Sequence, residues 1–444
     1  MSRALAIGLV RRQLVEQASD PGDGLFADSS ATLRPGVRAT IAKYLHREFR
    51  ELTALVDYCE FLDYLRPGGP AGDVRVGLGD EVVAAMLDQF GRCGGTRIRG
   101  RVTDLVTDGS TCRGVRYEQA GVSGHLLCDD VVLASGGFCG LFADGVGINS
   151  GYLMGTYARH GGVLANLEMF ARFALGNLDR KVPVYPFEFN GPPRLLRADE
   201  PAAELLSVLA ACEGDFLDLS TFHRYWLGNL DVPHTATSAQ GAFRLAPIRG
   251  FSMGGMVRSA VAGTLSNVHA IGECAYDLAV DSVSGKPLAT YLAYGGMLAD
   301  ELAERTRPPS SSSPASPGVD AHGVDAHGVD APGDARLREE IEQGLSAFQD
   351  TRFSIDAAAR FVRWCRDERR ARRGELAGNE DLDLLILAEA YACSVLVRTE
   401  SRGFFHRPDF PAPDPALAGK VTMARYDAKT DQVVASMVRQ SEWD

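Results

Sequence analysis

The amino-acid sequence predicts an α/β body, followed by a flexible tether and then a helical segment. Short β-branched runs such as Asp130-Val131-Val132-Leu133-Ala134 and Val268-His269-Ala270-Ile271 lead into glycines, and they alternate with helical stretches over Asp80 to Phe90 and Ala289 to Glu304. Such alternation marks strands covered by helices. From Arg307 to Asp334 the chain changes character: Pro308-Pro309-Ser310-Ser311-Ser312-Ser313-Pro314 precedes a Gly-Val-Asp-Ala repeat starting at Gly318, Gly323 and Gly328. Too few large apolar residues occur there to offset the entropy of ordering, which predicts a linker. As metal ligands, the Asp and His residues of the repeat would bear that full ordering cost, so no metal site is expected. From Ala335 to about Arg398, residues Leu382, Leu385, Ile386 and Ala390 recur at helical spacing behind Arg-, Glu- and Ala-rich stretches.

Composition narrows the function. The 444 residues are 45% hydrophobic and 23% charged, an ordinary globular balance that excludes collagenous, coiled-coil and disordered classes. At ~150 residues per domain, two or three domains are expected. The net charge of -12 argues against nucleic acid or an anionic membrane as partner. The basic run Arg366 to Arg373 is broken by Asp367 and Glu368 and reads as a solvated helix face. No apolar stretch of about 18 residues exists to span a bilayer. The opening residues to Val10 are too short an apolar run for a signal peptide. Nine cysteines without a C-x-x-C pair fit reduced thiols and a cytoplasmic address.

Three segments carry chemistry. In Val131-Val132-Leu133-Ala134-Ser135-Gly136-Gly137 a buried strand ends in small residues, so a ligand can approach the backbone; an ordinary glycine turn is the plainer reading of this segment alone. In Val268-His269-Ala270-Ile271-Gly272-Glu273 a strand ends in glycine and an acid, a carboxylate suited to accepting bonds from sugar hydroxyls. Ser282-Val283-Ser284-Gly285-Lys286-Pro287 then opens a helix from Leu288, whose positive end suits an electron-rich ligand edge. The third segment, Arg398-Thr399-Glu400-Ser401-Arg402-Gly403-Phe404-Phe405-His406-Arg407-Pro408-Asp409-Phe410-Pro411, reads physically as a structural latch at a helix end.

In combination and order, these segments resemble the flavoprotein family of L-aspartate oxidase and the flavin subunits of fumarate reductase and succinate dehydrogenase. That family runs V-V-L-A-T-G-G, L-E-F, G-G, A-I-G-E, a serine-led flavin helix, and R-E-S-R-G-x-H-x-R-x-D-x-P. The stations here include Leu164-Ala165-Asn166-Leu167-Glu168 and Met253-Gly254-Gly255-Met256, and Leu217-Asp218-Leu219 fits a strand late in the family's cap. The likeness covers roughly residues 15 to 425, and Asn166-Leu167-Glu168 with the closing motif leans toward L-aspartate oxidase. It implies an incomplete flavin-binding Rossmann-like domain (1–172 and 251–306) with an inserted α+β capping domain (173–250), a flexible linker (307–334) and a carboxyl-terminal helical domain (335–444). It also implies FAD as cofactor. Ser135, Gly136 and Gly137 would line it, Glu273 would bind its ribityl or ribose hydroxyls, and Ser284, Pro287 and Leu288 would abut the isoalloxazine. Glu400, Ser401, Arg402 and Gly403 would pack the helical domain onto the flavin domain.

The sequence also departs from that pattern. No G-x-G-x-x-G stands near the amino end, where glycines fall at Gly8, Gly22 and Gly24. A wrong gene start, a second chain supplying the nucleotide-binding segment, or loss of the adenosine half would each explain this. The family's reactive groups are replaced as well: its Q-F-H-P aligns with Ala171-Arg172-Phe173-Ala174, its arginine-bearing helix with Ala203 to Leu209, its H-Y-x-x-G-G histidine with Gly250, and its A-N-R arginine falls near Ser282. Each charge-assisted bond to a dicarboxylate is worth roughly 1.5–3 kcal/mol, so four losses argue against succinate, fumarate or aspartate as substrate. Replacement groups for a small-molecule substrate are His223, Arg224 and Arg249, with Arg172 and Lys286 nearby; His160, His234 and His406 read as structural. The expectation is a diverged FAD-dependent oxidoreductase acting on a less acidic small substrate. The alternative is a non-catalytic paralogue serving as scaffold or companion subunit of a flavoenzyme.

Overall fold

A computed structural model describes residues 56–57, 75–76, 90–146, 149–183, 234–238, 241–257, 265–276, 295–296, 298–304, 334–348, 353–374, 380–402 and 405–439. The expected helix from Asp80 lies largely outside these residues, as does the linker up to residue 333. Of the expected Ala289 to Glu304 helix, residues 295–296 and 298–304 are helical.

After the small antiparallel pair β1 (Val56–Asp57) and β2 (Arg75–Val76), the strands β3 (Arg101–Asp108), β4 (Thr111–Gln119) and β5 (Val122–Leu127) form an antiparallel meander. Ala120 and Gly121 both take positive φ in the two-residue turn between β4 and β5, a twist that matches the flanking strands. Next, β6 (Val131–Leu133) lies parallel to β13 (Val268–Ala270), Val131 opposite Val268 and Leu133 opposite Ala270. Their inward side chains are short and apolar, as expected for a buried parallel pair.

A second antiparallel sheet has the order β10 (His234–Ser238), β11 (Gly241–Ser252), β8 (Phe170–Asn177), β9 (Val182–Pro183). Residues 173–250 were expected as a separate insert, and both of those boundaries fall inside continuous strands, β8 and β11.

The carboxyl-terminal region needs a correction. Helices α2 (Ala335–Ser346), α3 (Ile355–Ala371) and α4 (Glu380–Val397) fill its first part, with α1 (Tyr152–Arg159) beside α4. Asp334 caps α2 by accepting from the N–H groups of Arg336 and Leu337, and Ser354 caps α3 through Ala357. Beyond α4 the chain is not helical: β14 (Lys420–Asp427) and β15 (Gln432–Arg439) form a hairpin that joins β7 (Val163–Ala165) and β12 (Gly255–Met256). Alternating burial along Gln432-Val433-Val434-Ala435 reflects a period-two pattern that helical spacing upstream obscured. The end of the chain is therefore built into a sheet with residues from the body.

Helix α4 is apolar almost all round and buried along most of its length, the pattern of a core helix. Its two most deeply buried carboxylates are paired. Asp383 accepts from Thr156 Oγ1 at 2.6 Å and Arg159 Nε at 2.7 Å, while Glu389 accepts from Arg366 Nε at 2.6 Å and from the buried Arg369. Arg369 also reaches Asp431 in the β14–β15 turn at 2.9 Å. Arg159 bridges on to Asp104 of β3 at 3.0 Å, and His160 Nε2 lies 2.8 Å from the same oxygen. Burial would raise the Asp104 carboxyl, but His160 and Arg159 outweigh it and hold the group at about 2.

Gly155 lets α1 and α4 touch: a Cβ there would stand 1.9 Å from the Asp383 carbonyl oxygen. Helix propensity alone favours Ala over Gly by about 1 kcal/mol, whereas overpacking costs about 1–3 kcal/mol. Gly155→Ala is therefore expected to lower unfolding free energy by up to about 2 kcal/mol in urea titration; a gain would mean that the helices separate easily. For Asp104 the folded value lies below the ordinary 3.8, so its contribution is complete above about pH 4 and is lost as pH falls toward 2. Asp104→Asn should flatten that part of the acid stability profile, measured by thermal unfolding across the window.

Candidate functional site

The parallel register brings two sequence motifs to one edge. Ile271 continues the β6–β13 pairing by donating its N–H to the Leu133 carbonyl at 3.0 Å, so Ser135-Gly136-Gly137 and Gly272-Glu273 leave the same carboxyl end of the pair. Ligands of open parallel sheets bind beyond that end. Glu273 opens into a tight turn, Gly272–Cys274, held by the bond from Ala275 N–H to the Gly272 carbonyl at 3.0 Å.

Glu273 does not simply project outward. Its Oε1 accepts from the Ser252 N–H at 2.9 Å and from Ser252 Oγ at 3.4 Å, while that hydroxyl lies 3.3 Å from the Glu273 carbonyl oxygen. Gly137 lies so close that a Cβ would stand 2.1 Å from Oε1 and 2.4 Å from Ser252 Oγ, so a side chain there would displace both groups. Burial raises the Glu273 carboxyl above the ordinary range, and the N–H groups of Ser252 and Gly137 oppose that shift. The carboxyl group thus joins three chain ends: those of β6, β11 and β13.

Two further features leave room for a ligand. Gly272, at φ +75, has nothing within 4 Å of the place a Cβ would take. Ser135 Oγ is buried without a hydrogen-bond partner beyond the weakly interacting Cys274 sulfur beside it. Gly136, at φ +74, lies against the Asn149 amide, 2.3 Å from where its Cβ would be. A buried hydroxyl in search of a partner, beside an acidic strand end and an open glycine, fits the hydroxyl-rich part of a dinucleotide.

Arg249 is placed elsewhere. It is 1% exposed, its guanidinium lies 4.5 Å from the Phe142 ring centre and 5.5 Å from that of Phe170, and it forms an ion pair with Asp144. The expected substrate contact is replaced by an interior one. A lone arginine in sequence does not reveal whether rings and a carboxylate await it in the core. Arg172 lies opposite Arg249 in the β8–β11 register. His223, Arg224, Ser284, Lys286, Pro287 and Leu288 lie outside the described residues. Ser252 was missed, although it immediately precedes the Met253-Gly254-Gly255 station; its role becomes visible only when the end of β11 meets Glu273.

The closing motif forms a buried knot. Arg398 donates to Glu168 at 2.5 Å, to Glu400 at 2.8 Å and to Asn166 Oδ1 at 3.0 Å. Thr422 of β14 donates its hydroxyl to the other Glu168 oxygen at 2.7 Å. Arg402 forks onto Glu400 at 2.9 and 2.8 Å, while Arg407 binds Asp409 and the carbonyls of Val395, Leu396 and Arg398. The latch expected at this helix end is thus an ionic joint between the end of α4 and the segment after β7. Arg398→Met would leave the buried Glu168 without its cation and Glu400 with Arg402 alone, and should cost about 3–5 kcal/mol in urea unfolding. A loss under about 1 kcal/mol would show the joint to be solvated.

Residues 376–441 match the family model described as fumarate reductase flavoprotein C-term. No curated protein sequence matches the chain. Among solved structures, Mycobacterium smegmatis Sdh1 in complex with UQ1 superposes with a TM-score of 0.68 at 16% identity, covering 99% of this chain and 87% of that one. A quinol-fumarate reductase with menaquinol molecules gives 0.67 at 16% identity, covering 98% and 89%. An adenosine-5-phosphosulfate reductase in complex with sulfite gives 0.61 at 13% identity, covering 98% and 88%. Residues 376–441 thus carry the signature of the fumarate reductase flavoprotein carboxyl-terminal family, and the chain shares the fold of these three flavoprotein-like structures.

Proposed function

We propose that the chain is an FAD-dependent oxidoreductase whose cofactor sits at the glycine edge of β6 and β13. One observation carries this reading: the parallel register places Ser135-Gly136-Gly137 and Glu273 at one carboxyl end, with an unsatisfied hydroxyl and an open glycine beside them. Ser252 occupies Glu273 Oε1, which leaves Oε2 as the acceptor for a ribityl or ribose hydroxyl. Ser135 Oγ supplies a further donor or acceptor, and Gly272 allows close approach of the ligand to the backbone. FAD bound there would accept or return a hydride. The small substrate is less acidic than a dicarboxylate: Gly250 brings no side chain where the family has a histidine, and Arg249 is engaged with Asp144 and two aromatic rings. The sheet β10–β11–β8–β9 supplies the capping layer in this reading.

A second reading, a non-catalytic companion of a flavoenzyme, is favoured by that same interior placement of Arg249. The family resemblance also leaves room for a second chain that contributes a nucleotide-binding segment. The cytoplasmic address read from the irregular cysteine spacing belongs to the same proposal. Among the described residues, no helix is long and apolar enough to cross a membrane.

Absorption spectroscopy of the purified protein, before and after adding FAD, separates the readings. A bound-flavin spectrum supports the oxidoreductase; protein that stays colourless with excess FAD rejects it. Glu273→Ala is expected to weaken FAD binding about tenfold or more, the loss of one good hydrogen bond to a charged group. Equal FAD affinity in that variant would remove Glu273 from the site.

A further inference from the structure

We propose that Arg249 is a positioning residue: it fixes the angle at which the end of β11 presents Ser252 to Glu273, and so sets how firmly the glycine edge holds its ligand. The ligand half of this statement rests on the flavin reading above; the positioning half does not.

Strand β11 is irregular around Arg249. Its register with β8 slips between Ala246 and Ile248 and again between Arg249 and Phe251, so an irregularity stands on each side of Arg249. Such slips bend a strand and raise its local twist, and a strand bent twice in succession has no direction prescribed by ladder bonding alone. At that point a second piece of chain holds it. Arg249 N–H donates to the Asp144 carbonyl at 2.8 Å, and Val146 N–H donates to the Arg249 carbonyl at 2.8 Å. The side chain fastens the same loop again, through the ion pair with Asp144 and the stack on Phe142.

The rings beneath it are fixed in turn. Phe142 meets Phe170 at 5.1 Å and Tyr391 of α4 at 5.1 Å, both edge to face. The guanidinium therefore rests on a surface anchored to the core helix. Three residues further on, Ser252 makes the 2.9 Å bond to Glu273 Oε1. A hinge held at Arg249 gives Ser252 one direction; a loosened hinge lets it swing, and Oε1 loses its donor. Cation–aromatic stacking and a largely desolvated ion pair together give this residue more hold than backbone bonds alone would supply.

Amide hydrogen exchange on the FAD-free protein tests the positioning half. In Arg249→Gln, the Ser252 amide should exchange about tenfold faster, while amides of α4 keep wild-type protection, because the opening is local. Asp144→Asn changes a partly exposed carboxylate and should act in the same direction, and it carries the test should R249Q fail to fold. R249K, which keeps the charge for Asp144, should recover protection to within about threefold of wild type. Unchanged Ser252 exchange in folded R249Q or D144N overturns the proposal. Equal acceleration across α4 overturns it too, since Arg249 would then be a general stabiliser. FAD titration tests the ligand half, with R249Q expected to weaken binding about tenfold. If wild-type protein binds no FAD, the flavin reading fails and the exchange experiment still decides whether Arg249 positions Ser252.

Discussion

The architecture depends on matching the buried carboxylates of helix α4 with arginines from neighbouring elements. Asp383 and Glu389 are both fully buried, and an unpaired carboxylate in such a place would cost several kcal/mol. Each is met by arginine from another element: Arg159 of α1 for the first, Arg366 and Arg369 of α3 for the second. The apolar remainder of α4 supplies the driving force for burial, and the ion pairs select which elements may surround it. A helix apolar on all sides could rotate among near-equivalent packings. Two carboxylates with fixed partners restrict α4 to a single rotation.

From that helix the constraint passes to the site through contiguous contacts. The end of α4 leads into Arg398, which holds Asn166 and Glu168 just after β7. Gly254 packs so tightly there that a Cβ would stand 2.0 Å from the Asn166 carbonyl oxygen, and Met253 N–H donates to the Met169 carbonyl at 3.0 Å. Ser252 precedes Met253, so the serine that holds Glu273 is placed at its far side by the closing motif and at its near side by Arg249. The strand ends and the carboxyl-terminal motif, remote in sequence, thus belong to one mechanical unit. Joining β14 to β7 and β12 in a sheet completes it.

This organisation explains which parts could be read from sequence. Strand ends in glycine and acid are local patterns, but only the family resemblance implied that Ser135-Gly136-Gly137 and Glu273 belong together; the parallel register of β6 and β13, which brings these ends to one edge, is not legible in either segment. The joint at Arg398 was recognisable as a latch but not its targets, because Asn166 and Glu168 lie more than two hundred residues away. Arg249 misled for a different reason. Sequence presents its charge but not Phe142, Phe170 and Asp144, which bring the stack and the counter-charge only after folding. The β14–β15 hairpin was hidden by the strong helical spacing before it, although Asp427-Ala428-Lys429-Thr430-Asp431 between two alternating runs carries a turn signal, with Asp427 accepting from Lys429 N–H and Thr430 Oγ1.

The two groups of family-like residues differ in how strongly the fold constrains them. Removing a member of the Arg398 knot leaves a buried charge behind, so those positions are coupled to stability. Gly250, between Arg249 and the end of β11, is only partly buried and adds no side chain to that network. In the proposed reading, groups that grip a substrate would change while the scaffold and its glycine edge persist. In the proposed flavin reading, the strand ends set the ligand site, and Glu273 is held there by Ser252. A shared fold does not set the chemistry; in the proposed reading the strand ends, with Glu273 held by Ser252, do.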